Sequence, residues 1–166
     1  PGVGPRRVKA LAEQKIPVHV HCGLIPINAT WFGGLRAVGK TAQEALTVYR
    51  NAVAYAEAGA TMIEMECVPE RVATEIARRV PIPVLSIGSG AGCDGQLLLD
   101  LDLLGTQGGG YPRHSKVYRH FLKEATGGFS EFREEVINGS FPAPGNFTDV
   151  SDQEFERFLA KLDARA

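Results

Sequence analysis

The chain alternates segments whose apolar residues recur at helical spacing with short, mostly apolar segments that are typical of buried strands. Val8, Leu11 and Ala12 fall on one face of the first predicted helix, and Thr41 with Glu44 forms a predicted capping box at the start of the second. The predicted elements are, in chain order, helix 6–15, strand 16–22, helix 41–58, strand 61–66, helix 70–79 and strand 84–87. This alternation predicts right-handed β-α-β units around a parallel sheet, an α/β fold.

The rest of the chain has weaker periodicity and more turn residues. Leu97–Leu104 fits either a fourth strand or the turn into its helix, and the pattern leaves both open. Two helices are predicted near 115–124 and 130–138, and a Pro/Gly stretch at 142–145 precedes a last amphipathic helix over 151–164. That helix is predicted to dock on a neighbour through an apolar stripe of Phe155, Phe158, Leu159 and Leu162.

The composition is that of one globular domain, because 44% of the 166 residues are hydrophobic, 22% are charged and the formal net charge is -1. This near-neutral balance predicts no nucleic acid and no membrane partner. No apolar run approaches the roughly 20 residues of a membrane span, and the N-terminus lacks the apolar core of a secretion signal, so a cytoplasmic protein is expected. Cys22, Cys67 and Cys93 are predicted to be reduced core fillers without a basic partner.

Polar side chains stand at the ends of the predicted strands, which is where parallel α/β folds place their sites. Glu64 and Glu66 are two residues apart and therefore share one face of their strand, as do His19 and His21. Acids in a buried strand are costly unless they are paired, hydrogen-bonded or protonated. We expect a buried or half-buried ion pair for Glu64 and a carboxylate that faces the cavity for Glu66.

The histidines and the glycine-rich turn have less specific interpretations. His19 is expected to make a core hydrogen bond, whereas substrate contact and a structural role are equally open for His21. Gly88-Ser89-Gly90 is consistent with backbone amides that hold an anion or, more simply, with a tight turn that another group approaches closely. Because Asp94-Gly95-Gln96 interrupts the expected helix, the turn is not a dinucleotide-binding motif.

In order and spacing, these segments resemble the C-terminal half of the ketopantoate hydroxymethyltransferase family over most of residues 8–145. The combination is far more specific than any single piece. The matching pieces are Pro17-Val18, His21-x-Gly23-Leu24-x-Pro26, Phe32-Gly33-Gly34, Gly39-Lys40, Glu57-Ala58-Gly59-Ala60, Glu66-Cys67-Val68-Pro69, Ile82-Pro83, Ile87-Gly88-Ser89-Gly90, Asp94-Gly95-Gln96 and Asp102-Leu103-Leu104-Gly105.

The resemblance implies a TIM (β/α)8 barrel of the phosphoenolpyruvate mutase and isocitrate lyase type, with its C-terminal half in residues 1–145 and a helical extension in 146–166. It also implies transfer of a one-carbon unit from 5,10-methylenetetrahydrofolate to C3 of 2-oxoisovalerate, giving ketopantoate for pantothenate biosynthesis. Mg²⁺ chelated by the 2-oxo acid would stabilise the enolate. Glu66 matches the family's general acid/base, and His21 matches a histidine that contacts substrate.

The family's metal-binding aspartates and its lysine belong to the first half of the barrel and are expected outside these residues. Four strands at most cannot close a barrel, so a partner is expected. The partner would be an N-terminal barrel half on a second chain, residues ahead of Pro1, or further copies of the chain. Pro1 is an unusual first residue, which favours a second chain or residues ahead of Pro1 over further copies. The resemblance also implies a homo-oligomer.

Some positions depart from the family pattern Gly-His-x-Gly-Leu-Thr-Pro-Gln, because Val20, Ile25 and Ile27 replace its Gly, Thr and Gln. Loop 33–39 also differs. Polar groups that would border the pocket have become apolar, and two alternatives therefore stay open. One is a carbon–carbon lyase or mutase that acts on another small 2-oxo acid, and the other is a non-catalytic barrel half that serves assembly.

Overall fold

The computed structural model of the chain describes residues 3–164. The chain forms two compact units, of which the first ends at Arg119 and the second begins at His120. The domain division predicted at 145/146 stays a prediction. Across the described residues, no helix combines the length and the apolar character that a membrane span requires.

The first unit alternates helices with the strands of one sheet. Its elements are α1 (Val3–Glu13), β1 (His19–Gly23), a 3-10 helix (Pro26–Phe32), α2 (Ala42–Glu57), β2 (Met62–Glu66), α3 (Glu70–Ala77), β3 (Val84–Ile87), β4 (Gly95–Gln96) and α4 (Asp100–Leu104). The four strands are hydrogen-bonded in the order β1-β2-β3-β4, and each neighbouring pair is parallel. The predicted α/β fold with a parallel sheet is confirmed.

The core of this unit lies where one face of β2 and β3 meets the helices. Ile63, Met65 and Val84 are fully buried there, and so are Ala52 of α2 and Ala73 of α3. Small residues at these helix positions allow the helices to lie close to the sheet. Because side chains alternate along a strand, the same spacing leaves the acidic residues of β2 together on its other face.

The start of α2 follows the predicted cap in part. Thr41 Oγ1 accepts a hydrogen bond from the backbone N–H of Glu44 at 3.2 Å. The Glu44 carboxylate accepts from the backbone N–H groups of Gly39 and Lys40 at 3.1 Å each, and so the reciprocal half of the capping box is wrong. The helix ends ahead of Gly59, whose φ of +94° is the left-handed conformation predicted there.

The structure decides between the two alternatives for residues 97–104. β4 ends at Gln96, before this segment, and α4 begins within it at Asp100, so the segment is the turn into a helix. The first strand starts at His19, three residues later than predicted from the extended segment at Ile16. Pro17 explains the delay, because a proline has no N–H for the sheet.

The second unit contains α5 (Phe121–Asn138) and α6 (Asp152–Asp163). The prediction of two separate helices is wrong, because α5 continues through Gly127 and Gly128, although each glycine disfavours a helix by about 1 kcal/mol relative to alanine. The last predicted helix is confirmed, with Ser151 as its N-cap. Docking of its apolar stripe on a neighbour stays a prediction.

Candidate active site at the strand ends

Two neighbouring strands bring acidic and imidazole side chains together on the polar face of the sheet. The parallel register pairs His21 with Glu64 and Gly23 with Glu66. The His21 ring lies between the two carboxylates, with Nδ1 3.3 Å from Glu64 Oε2 and Nε2 3.0 Å from Glu66 Oε2. The two site residues predicted from the sequence, Glu66 and His21, are therefore in direct contact at the carboxyl end of β2.

A backbone acceptor fixes the orientation of the His21 ring. Its Nε2 also lies 2.7 Å from the Leu24 carbonyl oxygen. Because a carbonyl oxygen can only accept, Nε2 carries the hydrogen and donates it. The Glu66 carboxylate shares this donor, and the ring thereby holds that carboxylate at the strand end.

Glu64 is half-buried, as predicted, and its partners are two histidines. Its Oε1 lies 3.6 Å from His19 Nδ1, while its Oε2 faces His21. His19 is itself exposed, and so the core hydrogen bond predicted for it is wrong. The reason is topological, because β1 is an edge strand of the described sheet and His19 is its first residue.

Glu66 is the buried acid of the site, with 8% of its surface exposed. Burial raises the pKa of its carboxyl above the ordinary value, and the charge of Glu64 acts in the same direction. The charges of His21 and His114 oppose this rise, because a positive neighbour favours the carboxylate. A carboxyl with a raised pKa exchanges its proton closer to neutral pH, which suits general acid–base chemistry.

This raised pKa predicts how stability depends on pH. Native Glu66 binds its proton more tightly than unfolded Glu66, so its contribution to stability is complete below the ordinary pKa of 4.5 and is lost as the pH rises through the native pKa. We expect the free energy of unfolding of the wild type to fall relative to Glu66→Gln over that window, in urea denaturation at a series of pH values. A pH-independent difference between the two proteins would show that the pKa is not raised.

The site includes one residue that the pattern of strand ends did not single out. His114 follows α4 in the chain, and its Nδ1 lies 3.4 Å from Sγ of Cys67, 47 residues earlier. The prediction that Cys67 lacks a basic partner is therefore wrong. Burial and the charge of Glu66 nevertheless raise the pKa of the Cys67 thiol, which does not make it a reactive nucleophile. No local motif marks His114, because its role arises from a contact between distant segments.

Two features hold His114 against the end of β2. Gly88 has a φ of +69°, and a Cβ added there would lie 2.7 Å from the His114 Cβ, so glycine leaves the space that the imidazole occupies. The next residue, Ser115, donates a hydrogen bond to the Asp102 carboxylate, which also accepts from Gln107. Asp102 is buried on α4 and thereby anchors the segment that carries His114.

The tight turn predicted after β3 is confirmed. Gly90 has a φ of +86°, and a Cβ added there would lie 2.3 Å from Cγ of Glu70. The same Glu70 side chain accepts a hydrogen bond from the backbone N–H of Ala91 at 3.2 Å. This amide therefore has a partner within the chain, which weighs against the alternative of an anion site.

Ser89 joins the ends of β2 and β3, and its replacement is expected to destabilise the fold. Its Oγ donates to the Met65 carbonyl oxygen at 2.7 Å and accepts from the Val68 N–H at 2.9 Å. Ser89→Ala leaves both buried groups without this partner, at an expected cost of about 1–3 kcal/mol in urea denaturation. Ser130→Ala, which removes an exposed hydroxyl bonded to Thr126, is the control, and an equal loss in both variants would contradict the assignment.

A cavity of about 200 Å³ adjoins β1 and α2, and His21 forms part of its wall. This volume is below the roughly 300–1,000 Å³ that is usual for ligand pockets, and Glu66 is not among the residues that line the cavity. Cys22 also lines the cavity, and burial raises the pKa of its thiol to about 12, as expected of a core filler. Ile25, one of the residues that depart from the family pattern, is part of the same wall.

The metal-ligating side chains that converge here do not fit Mg²⁺. Glu66, Cys67 and His114 offer a carboxylate oxygen, a sulfur and an imidazole nitrogen, all within 4.8 Å of one another. Mg²⁺ prefers six oxygen ligands, whereas sulfur and nitrogen donors suit softer ions. The Mg²⁺ that the resemblance implies would therefore need ligands other than this cluster.

Comparison with known proteins identifies one family. The family described as ketopantoate hydroxymethyltransferase matches residues 4–144. The chain is 39% identical over 158 residues to 3-methyl-2-oxobutanoate hydroxymethyltransferase 1 of Methylibium petroleiphilum, which covers 95% of this chain and 54% of that protein. It is 40% identical over 166 residues to the 3-methyl-2-oxobutanoate hydroxymethyltransferase of Nitratidesulfovibrio vulgaris, which covers 99% of this chain and 54% of that protein.

A third relative, the 3-methyl-2-oxobutanoate hydroxymethyltransferase of Cenarchaeum symbiosum, is 41% identical over 139 residues, or 84% of this chain and 53% of that protein. The chain thus spans about half the length of the curated relatives it matches. The matched residues include both strands of the site and the segment that carries His114. These matches confirm the resemblance seen in the sequence: the chain belongs to the ketopantoate hydroxymethyltransferase family.

Proposed function

We propose that this chain supplies the C-terminal half of an enzyme that transfers a hydroxymethyl group from 5,10-methylenetetrahydrofolate to 2-oxoisovalerate and forms ketopantoate, in pantothenate biosynthesis. Family membership supports the reaction. One observation carries the choice of catalytic residue: the buried Glu66 carboxyl lies at the carboxyl end of β2, has a raised pKa and is held by His21. Carboxyl ends of parallel strands are where barrel enzymes place their chemistry.

In this proposal Glu66 is the general acid/base. Its carboxylate takes the proton from C3 of the 2-oxo acid, and the electron pair of the broken C–H bond forms the enolate. The electron pair of the enolate then bonds C3 to the one-carbon unit, whose two bonds to folate nitrogens break, and water supplies the hydroxyl oxygen. The proton from C3 and one proton from water end on those two nitrogens, so that tetrahydrofolate leaves. His21 orients the Glu66 carboxylate through Nε2, and a direct contact between His21 and substrate stays a prediction.

We further propose that the sheet is part of a TIM-type barrel of the phosphoenolpyruvate mutase and isocitrate lyase type. β1 and β4 are the edges of the described sheet, and open edges leave backbone groups unpaired. An N-terminal half or a second chain would pair them, and further copies would make a homo-oligomer. The length of the relatives supports this completion. Ligands for Mg²⁺ would come from that half.

One departure from the family pattern keeps a second candidate function open. Ile25 lines the cavity beside His21, at a position where the family pattern has Thr. The loss of this polar group leaves open another small 2-oxo acid as substrate, and with it the carbon–carbon lyase or mutase chemistry of the second candidate. The two candidates share Glu66 as the proton-transfer group and differ in their need for a one-carbon donor.

The test is an assay of a protein that contains this chain together with an N-terminal half, using a panel of small 2-oxo acids with and without 5,10-methylenetetrahydrofolate. The proposal predicts ketopantoate only when 2-oxoisovalerate and the donor are both present. Cleavage or rearrangement of a 2-oxo acid without the donor would replace it with the second candidate. A protein that neither turns over nor binds these substrates with Mg²⁺ would be a non-catalytic assembly partner.

A further inference from the structure

We propose that Cys67, His114 and Glu66 form a binding site for a borderline-soft divalent cation of the Zn²⁺ class, separate from the Mg²⁺ that the family resemblance implies. Three kinds of donor atom from two distant segments meet at this point, all within 4.8 Å of one another. The cluster does not fit Mg²⁺, because two of its three donor atoms are sulfur and nitrogen rather than oxygen. The binding itself does not depend on the proposed function.

The spacing of the first two donors already matches a shared ion. Cys67 Sγ and His114 Nδ1 are 3.4 Å apart. Ligands at about 2.3 Å (sulfur) and about 2.0 Å (nitrogen) from a tetrahedral Zn²⁺ are separated by about 3.5 Å. A carboxylate oxygen of Glu66 lies within 4.8 Å of both of these atoms and is the third donor. Such a set leaves the fourth tetrahedral position for water.

The backbone of Cys67 is held in an unusual conformation. Its φ of 50° is the left-handed conformation, which costs a non-glycine residue roughly 1–2 kcal/mol. Two backbone hydrogen bonds hold it there, from Cys67 N–H to the Ile87 carbonyl at 2.9 Å and from Val38 N–H to the Cys67 carbonyl at 3.1 Å. Strained residues persist where the surrounding structure over-determines them, and they cluster at functional sites.

The imidazole is placed by contacts independent of those that hold Cys67. Gly88 leaves the space that His114 fills, and Ser115 is tied to the buried Asp102. Both donors are therefore held before any ion arrives, which lowers the entropy lost on binding. A preorganised thiol and imidazole select Zn²⁺ over Mg²⁺, because softer ligands favour the softer ion.

Occupancy of this site has a consequence for the proposed function, and this consequence rests on that function. Glu66 cannot be at once a metal ligand and a free acid/base, so Zn²⁺ is expected to inhibit turnover. Zn²⁺ should inhibit Cys67→Ser less than the wild type when the turnover of each protein is compared with its own turnover without Zn²⁺. If the enzyme does not make ketopantoate, the expected inhibition cannot be measured. The metal site is then tested by direct measurement of binding.

That measurement is a titration of the purified protein that carries these residues, first with Co²⁺ as a spectroscopic probe and then with Zn²⁺ in a calorimeter. We expect Co²⁺ to give a thiolate-to-metal charge-transfer band that Cys67→Ser abolishes. Zn²⁺ affinity should fall by more than about tenfold in Cys67→Ser and in His114→Gln. Cys93→Ser, which removes another partly buried thiol outside the cluster, is the control and should keep both the band and the affinity.

Three results would overturn the proposal. They are the absence of a charge-transfer band in the wild type, a band that survives Cys67→Ser, and a Zn²⁺ affinity that is equal in the wild type and both ligand variants. Urea denaturation of each variant without metal separates a lost ligand from a lost fold. If His114→Gln does not fold, the Co²⁺ spectrum of Cys67→Ser still tests whether Cys67 is a metal ligand.

Discussion

Glu66→Gln is expected to lower kcat for ketopantoate formation by about 10²–10⁴-fold, the range that general acid–base groups contribute. Glutamine keeps the size of the side chain and accepts the same hydrogen bond from His21, but it cannot take a proton from C3. The fold should persist, because the variant also removes the cost of a buried charge. The measurement is steady-state kinetics on a protein that contains both barrel halves.

Glu75→Gln is the matched control for this variant. Glu75 lies on α3, is exposed, and pairs with Arg78 and Arg79 at the surface of the unit. Its replacement removes the same charge far from the strand ends and should leave kcat unchanged. Wild-type kcat in Glu66→Gln, with the fold intact, would remove Glu66 from the mechanism.

Gly23→Ala is expected to lower the free energy of unfolding by about 2–5 kcal/mol, which combines left-handed strain with overpacking. Gly23 has a φ of +90°, and a Cβ added there would lie 2.3 Å from the Glu66 carbonyl oxygen and 2.6 Å from Cγ2 of Val68. The first of these atoms is backbone and cannot turn aside. Urea denaturation measures the loss, and because the clash displaces Glu66, kcat should fall as well.

Gly33→Ala separates the two causes of this loss. Gly33 has a φ of +74°, and a Cβ added there meets nothing within 4 Å. Its replacement should therefore cost only the strain of the left-handed conformation, about 1–2 kcal/mol. An equal fall in the free energy of unfolding of the two variants would mean that the close approach of Gly23 to the Glu66 backbone adds nothing to the destabilisation.

Local signals explain why much of the first unit could be predicted. β2 and β3 are short apolar segments between turn residues, and they are parallel neighbours, as the predicted β-α-β units require. The shared face of Glu64 and Glu66 follows from the two-residue period of a strand alone. Glu66 could be predicted as a site residue because it lies at the end of a predicted strand and also belongs to one of the segments that resemble the family.

The contacts that could not be predicted are those between distant segments. The contact of Cys67 with His114 spans 47 residues, and no periodicity encodes it. The prediction for α5 was wrong for a local reason. Its two glycines lower the helix propensity of the segment, yet the helix continues through them. The hydrogen bonds of the Glu44 carboxylate could not be predicted either. It accepts from backbone amides that precede the N-cap residue, which the capping-box pattern does not include.

In the proposed reaction, Glu66 moves the C3 proton of the 2-oxo acid. Exchange of this proton for deuterium tests it most directly, by proton NMR of 2-oxoisovalerate in D2O with the protein that contains both halves and without the folate donor. We expect exchange with the wild type and a rate at least about 10²-fold lower with Glu66→Gln. Exchange at the wild-type rate in a folded Glu66→Gln protein would contradict it.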